Sequence, residues 1–171
     1  MIARPESHEY IPLIEKYLSL VPEGNLVEIM MQQHDDTLAV LKSLSEEQAS
    51  YRYAEGKWSI KQVVGHIADV ERLWNYRILR IARGDSQVLS GYNRDVFTDN
   101  SPFELLPASY VIADYSAVRK STITLVDSLT EDALLRQGEF NEYPLSARAA
   151  AFFIAGHETH HMQMIRTKYL G

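Results

Sequence analysis

Apolar residues recur along this chain at intervals of three and four, the period of helices that pack one face against a core. Leu26, Ile29, Met30, Gln33, Thr37, Val40, Leu41 and Leu44 share one such stripe and predict a long helix over about 26–44. Asn25 and Glu28 stand at its start in the N-cap and N3 relation of a capping box. A second stripe, Ile60, Val63, Val64, Ile67, Trp74, Ile78 and Ile81, opens at Ser59 with Gln62 as its reciprocal cap and stops at Gly84 as C′ residue. A third helix is expected over about 108–129, behind Pro107. The fourth is expected over about 146–169, with the stripe Ala150, Phe153, Ile154, His157, His161, Met164 and Ile165. Residues 85–107 carry Gly91, Pro102 and Pro107 and no sustained period, and connections of that length in compact domains are commonly functional.

Four long amphipathic helices without a convincing strand signal predict an all-α fold, a four-helix bundle occupying residues 1–171 as a single domain. Residues 1–24 form an N-terminal extension whose Tyr10, Ile11, Leu13, Ile14, Tyr17 and Leu18 are apolar enough to pack on that bundle. The two halves echo each other. Leu41-Lys-Ser-Leu-Ser-Glu-Glu resembles Val126-Asp-Ser-Leu-Thr-Glu-Asp, and each precedes a Ser-capped helix carrying Gly-His, at Gly65-His66 and Gly156-His157.

Composition narrows the classes of function. The chain of 171 residues carries a net charge of −6, which argues against a nucleic-acid partner because phosphate binding calls for a basic surface. It has no cysteine, so disulfides, iron–sulfur clusters and a thiolate nucleophile of its own are excluded. Met1 to Glu9 lack an apolar secretory region, and the longest apolar run, Ala149 to Ala155, is too short to cross a bilayer. A cytoplasmic protein with no membrane partner is expected.

The candidate chemistry lies in the histidines. His157 and His161 stand about 40° apart on the fourth helix, in the middle of its apolar stripe. Burying two unpaired imidazoles costs on the order of 1–3 kcal/mol each, and a divalent metal would partner both. The alternative is a pair of core histidines bonded to carbonyls or hydroxyls. His157-Glu-Thr-His-His161 contains a His-Glu-x-x-His pattern, with Glu158 as the general base of a zinc peptidase. Met162 to Gly171, however, contain no His or Glu to serve as the downstream third ligand of such enzymes. A third ligand must therefore come from upstream. His66, at the flank of the second stripe, is the leading candidate and His34 the second; His160 lies off the stripe and His8 belongs to the extension. Three nitrogen ligands with an open position are the arrangement of a catalytic metal.

Gly56-Lys-Trp-Ser-Ile-Lys-Gln-Val-Val-Gly-His66-Ile-Ala-Asp69-Val-Glu-Arg72, followed by Gly156-His157-Glu-Thr-His-His161, resembles the DinB-like superfamily of metal-binding four-helix bundles over about residues 25–170. The resemblance implies an up-down-down-up bundle with a long crossover between its second and third helices. It also implies metal ligation by His66, His157 and His161, with zinc or nickel as the usual ion. The chemistry it implies is transfer or isomerisation using low-molecular-weight thiols, or hydrolysis, on a small-molecule substrate. In that reading a bound thiol or water loses its proton near neutral pH.

Three further features accompany the triad. Asp69, one turn after His66, and Glu158 are candidates to orient a ligand or bound water. Trp58, just before the Ser59 cap, is expected to act as a hydrophobic staple, and Gly91-Tyr-Asn-Arg-Asp95 could line the mouth of a pocket. The competing class of function is a non-catalytic metal-binding or helical interaction module, dimeric through an exposed bundle face.

Overall fold

Each predicted stripe forms a helix close to its predicted place. The computed structural model describes residues 2–85 and 87–171. Two 3-10 turns, Ser7–Glu9 and Pro12–Ile14, lead into a short α1, Glu15–Leu18. Then follow α2 (Leu26–Lys42), α3 (Glu46–Ala49), α4 (Ile60–Ala82), α5 (Arg94–Asp99), α6 (Ala108–Asp127) and α7 (Glu131–Leu135). Strands β1 (Gln137–Phe140) and β2 (Tyr143–Ser146) precede α8 (Ala147–Met164), which ends in one π-helical turn, Ile165–Tyr169.

The caps behave as their chemistry dictates. Ser59 and Gln62 form the reciprocal box, and Ser146 accepts from the Ala149 N–H. Gly84, at φ +82°, takes the left-handed conformation of a C′ residue. At α2 the predicted box is incomplete. Asn25 accepts from the Val27 N–H, but Glu28 bonds the Asn25 side-chain amide instead of reaching back to the backbone.

Contacts along the helices set their directions. Trp58 lies near Tyr169, His66 near His161 and Trp74 near Phe153, so α4 and α8 run antiparallel. Lys61 bonds the Leu106 carbonyl, Arg72 pairs with Asp114 and Asn75 bonds Thr122, so α4 and α6 run parallel. Glu46 bonds the Ala108 N–H and Gln33 meets Arg119, so α2 opposes α6. The bundle is thus up-down-down-up. Because α4 and α6 are parallel neighbours, the chain leaving α4 must return along the 23-residue helix, a distance of about 34 Å, before α6 can start. That requirement accounts for the length of the 83–107 connection.

The sequence carried no strand signal, yet residues 137–146 form an antiparallel hairpin. Asn141 and Glu142, at φ 52° and 65°, make a two-residue turn of the twist that hairpins favour. Its strands are short and barely alternate in polarity, and its turn lacks the usual Asn-Gly signal. The crossover joins the hairpin through the Leu89 N–H, which donates to the Glu139 carbonyl at 2.9 Å.

The apolar core falls into two clusters. One surrounds Met30, Trp74, Ile78 and Phe153; the other surrounds Leu41, Ile67, Tyr115 and Met162. Between them, residues of α2, α4, α6 and α8 supply a buried polar belt containing Glu71, Arg119, Glu158 and the histidines of the site.

Candidate metal centre

The repeated Gly-His dipeptide has a packing explanation. A Cβ on Gly65 would stand 2.3 Å from the Phe103 ring of the crossover, and one on Gly156 would stand 2.0 Å from the Tyr17 carbonyl oxygen. Each glycine lets a covering segment lie on the helix at the level of the histidine that follows it. The crossover therefore closes over α4 and the N-terminal extension over α8.

Between those covers, His66, His157 and His161 converge. Each offers a ring nitrogen within 4.8 Å of the others, and each is under 10% exposed. The Nε2 atoms of His157 and His161 stand 3.1 Å apart, so a single proton at most fits between them. The buried Nδ1 of His161 has no hydrogen-bond partner. Burial, with the Arg94 charge, depresses the pKa of His66 to about 4. Burial, with His66, His160 and Arg94, depresses that of His161 to about 3. His157 is also pushed well down, by burial and then by its histidine neighbours. At neutral pH these rings are uncharged and their lone pairs are available. Three neutral imidazoles crowded together with an orphaned nitrogen fit a divalent cation, which would take lone pairs that otherwise face one another.

The triad opens into a cavity of about 400 Å³, whose walls come from the N-terminal extension, α4 and the residue before its cap, the crossover, the hairpin and α8. Tyr17 of α1 lies edge-on to Phe153 and beside His157 and His160. Trp58, half-buried on the core cluster of Leu41, Ile67, Tyr115 and Met162, stands 4.9 Å from His66, so it joins apolar packing to the cavity wall. Of the predicted mouth segment, Tyr92 and Arg94 line the cavity, whereas Gly91, Asn93 and Asp95 do not. Phe153 runs from His157 to Trp74, and Trp74, Arg77 and Phe140 complete the end away from the triad. Trp74 and Phe153, which their stripes place in the core, line the cavity as well, and so does Arg77, whose one sequence signal is a cation beside an apolar stripe. Another hollow, of about 480 Å³ between α2 and α6, is lined by residues such as Leu38 and Ile112 and by no histidine.

The other candidates lie elsewhere. Glu158 faces the bundle interior, where Thr37 and Tyr115 each donate to it at 2.6 Å and Arg119 pairs with it. It does not line the cavity, so it occupies neither the general-base position of the peptidase pattern nor contact with the open side of the triad. Asp69 pairs with Arg72 near Asp114, on the face toward α6, and also lies off the cavity. His34 bonds Ser116 at 2.8 Å and belongs neither to the histidine cluster nor to the cavity lining. His160 lines the cavity wall as an exposed neighbour, and His8 is exposed beside Glu6.

A family model described as the DinB superfamily matches residues 30–165. The chain belongs to that superfamily. A relative from Oceanobacillus iheyensis, provisionally named a metal-dependent hydrolase, is 28% identical over 163 residues, covering 93% of this chain and 83% of the relative. Among solved structures, YfiT from Bacillus subtilis aligns with a TM-score of 0.68 at 16% identity, over 96% of this chain and 92% of its own. YfiT is described as a probable metal-dependent hydrolase with an unusual four-helix bundle topology; at that identity the likeness shows the shared four-helix bundle fold alone. No helix among the described residues is long and apolar enough to cross a membrane.

Proposed function

We propose that this DinB protein is a metal-dependent enzyme acting on a small molecule, with His66, His157 and His161 as the ligands of one divalent ion, zinc or nickel. The observation that carries this reading is the convergence of three buried, neutral imidazoles at the wall of an open cavity. When bound, such an ion supplies Lewis acidity and lowers the pKa of a nucleophile placed beside it. The protein's own part is to keep the imidazoles neutral by burial, to hold their orientation by packing against Phe153 and Trp58, and to restrict solvent with Tyr17 and the crossover.

Two chemistries suit the site. The names of the relatives point to hydrolysis. A thiol is favoured because the described lining of the cavity holds no Asp or Glu, which leaves His160 as the one imidazole outside the triad to take a proton from water. A thiol, with an ordinary pKa near ~8.5, needs far less help than water at ~15.7. We therefore put thiol transfer first and hydrolysis second, with a low-molecular-weight thiol as co-substrate.

Metal content after mild purification tests the site. About one ion per chain is expected in the wild type, with most of it lost in His66→Ala, His157→Ala and His161→Ala but kept in His160→Ala. Full retention by His66→Ala or His157→Ala would refute the ligand set. Cobalt-substituted protein should change its visible spectrum when small thiols are added, and turnover of thiol-reactive electrophiles should stop on chelation. Turnover of esters or amides without a thiol response would select hydrolysis. Neither spectral response nor metal-dependent turnover would leave the non-catalytic module.

A further inference from the structure

Arg77 is buried without a counter-charge. It is 3% exposed, and burial pushes its pKa down to about 10, with no carboxylate opposing that shift. Nη2 donates to the Ser90 carbonyl at 3.0 Å, while Nη1 has no acceptor. The guanidinium lies over the rings of Phe140 and Trp74, at 4.1 and 4.8 Å from their centroids. Such stacking orients a cation but does not neutralise it. Elsewhere in the core, cations are matched. Arg119 pairs with Glu71 and Glu158, and Arg148 with Glu9.

Arg77 lines both a small hollow beside Ser90 and the cavity of the histidines, and the latter has an unusual charge for this chain. Its charged lining residues are Lys16, Arg77 and Arg94, with no Asp or Glu among the described ones, although the chain as a whole carries −6. Arg77 follows His66 on α4 by about three helical turns. The wall between them is aromatic. Trp74 stacks on Phe153 at 3.8 Å, and Phe153 stacks on His157 at 5.3 Å.

We propose that the cavity takes an elongated organic anion, whose carboxylate or phosphate sits on Arg77 and whose apolar body lies along Trp74, Phe140 and Phe153 toward the histidines. This names the substrate class of the site and rests on the reading that the cavity is where substrate binds. A guanidinium with a free donor supplies the charge-assisted hydrogen bond that an anionic group needs. The burial that makes Arg77 unfavourable in the empty protein strengthens its attraction for the anion.

Metal-stripped protein tests this separately from the metal reading, because loss of the triad assignment leaves the anion preference untouched. Both tryptophans of the chain line the cavity, so their fluorescence reports binding. Phenylacetate, phenyl phosphate and the uncharged phenylacetamide are titrated in turn. At least one anion should bind tenfold or more tighter than the amide, and the tighter of the two identifies carboxylate or phosphate as the preferred group. Arg77→Met and Arg77→Gln, checked for folding by circular dichroism, should lose the preference. The double variant Lys16→Gln/Arg94→Gln, altered only at exposed positions, should keep most of it. Equal binding of anions and amide, no saturable binding of either anion, or loss of the preference in the double variant would overturn the assignment to Arg77.

Discussion

Glu9 lies far from the bundle helices in sequence, yet its carboxylate is buried at the start of α8. Ser146 donates to it at 2.6 Å and Arg148 at 2.8 Å, and the positive end of the helix favours its charge. Burial alone would push this carboxyl up. The hydrogen bonds from Arg148, the Glu6 backbone and Ser146, with the Arg148 charge, hold it at about 2 instead of 4.5. Unfolding would restore the higher value, so the contribution is complete above about 4.5 and fades as the pH falls toward about 2. Glu9→Gln should cost about 1.5–3 kcal/mol at neutral pH, the range of a hydrogen bond to a charged group. Urea titrations at pH 7 and pH 3 measure it, and the difference between wild type and variant should shrink at the lower pH. Equal stability of the two proteins at pH 7 would show that this anchor contributes nothing.

At the scale of elements, the two Gly-His dipeptides turn a local sequence echo into tertiary closure. Alanine improves on glycine within a helix by roughly 1 kcal/mol, so by propensity alone Gly156→Ala should stabilise. Its Cβ would instead meet the Tyr17 carbonyl at 2.0 Å, and a backbone atom cannot rotate out of the way. A net loss of about 1–3 kcal/mol is expected, the usual cost of overpacking, measured by chemical denaturation. Gly65→Ala meets the Phe103 side chain, which can swing, so its loss should be smaller. A gain in stability by Gly156→Ala would contradict the close seating of the extension. The remaining echo is structural too. After α2 and after α6 the chain forms a short helix capped by Ser45 or Thr130, the paired positions of the repeated segment.

Across the whole molecule, the buried belt joins the bundle helices. Arg119 is fully buried and pairs with Glu71 of α4 and Glu158 of α8, while Thr122 and Tyr115 add donors from α6. Its pKa is pushed up by the two carboxylates despite a burial that acts the other way. Arg119→Met would strand both acids in the core, and a loss of about 3–5 kcal/mol is expected in a denaturation experiment. Glu158→Gln should cost less, because Arg119 keeps Glu71, and metal content should survive it. Loss of metal from a folded Glu158→Gln protein would restore Glu158 to the site's chemistry.

What was legible in the sequence was whatever repeats along one helix. The stripes place the four long helices, and the spacing of His157 and His161 puts two imidazoles on one buried face. The four helices account for most of the 64% helical content. Glu158 shows the limit of that reading. Its neighbour His157 faces the cavity while Glu158 faces Arg119, and only the positions of α2 and α6 decide which direction is core and which is site. The hairpin at 137–146 is likewise held by its place against the crossover and Trp74, not by alternation of its own. Tyr17, Trp58, Arg77 and Phe140 come from separate segments, and no sequence period connects them. A helix's periodicity reports only that one face is buried. What that face meets is set by the direction and neighbours of the other helices, through contacts between residues distant in the chain.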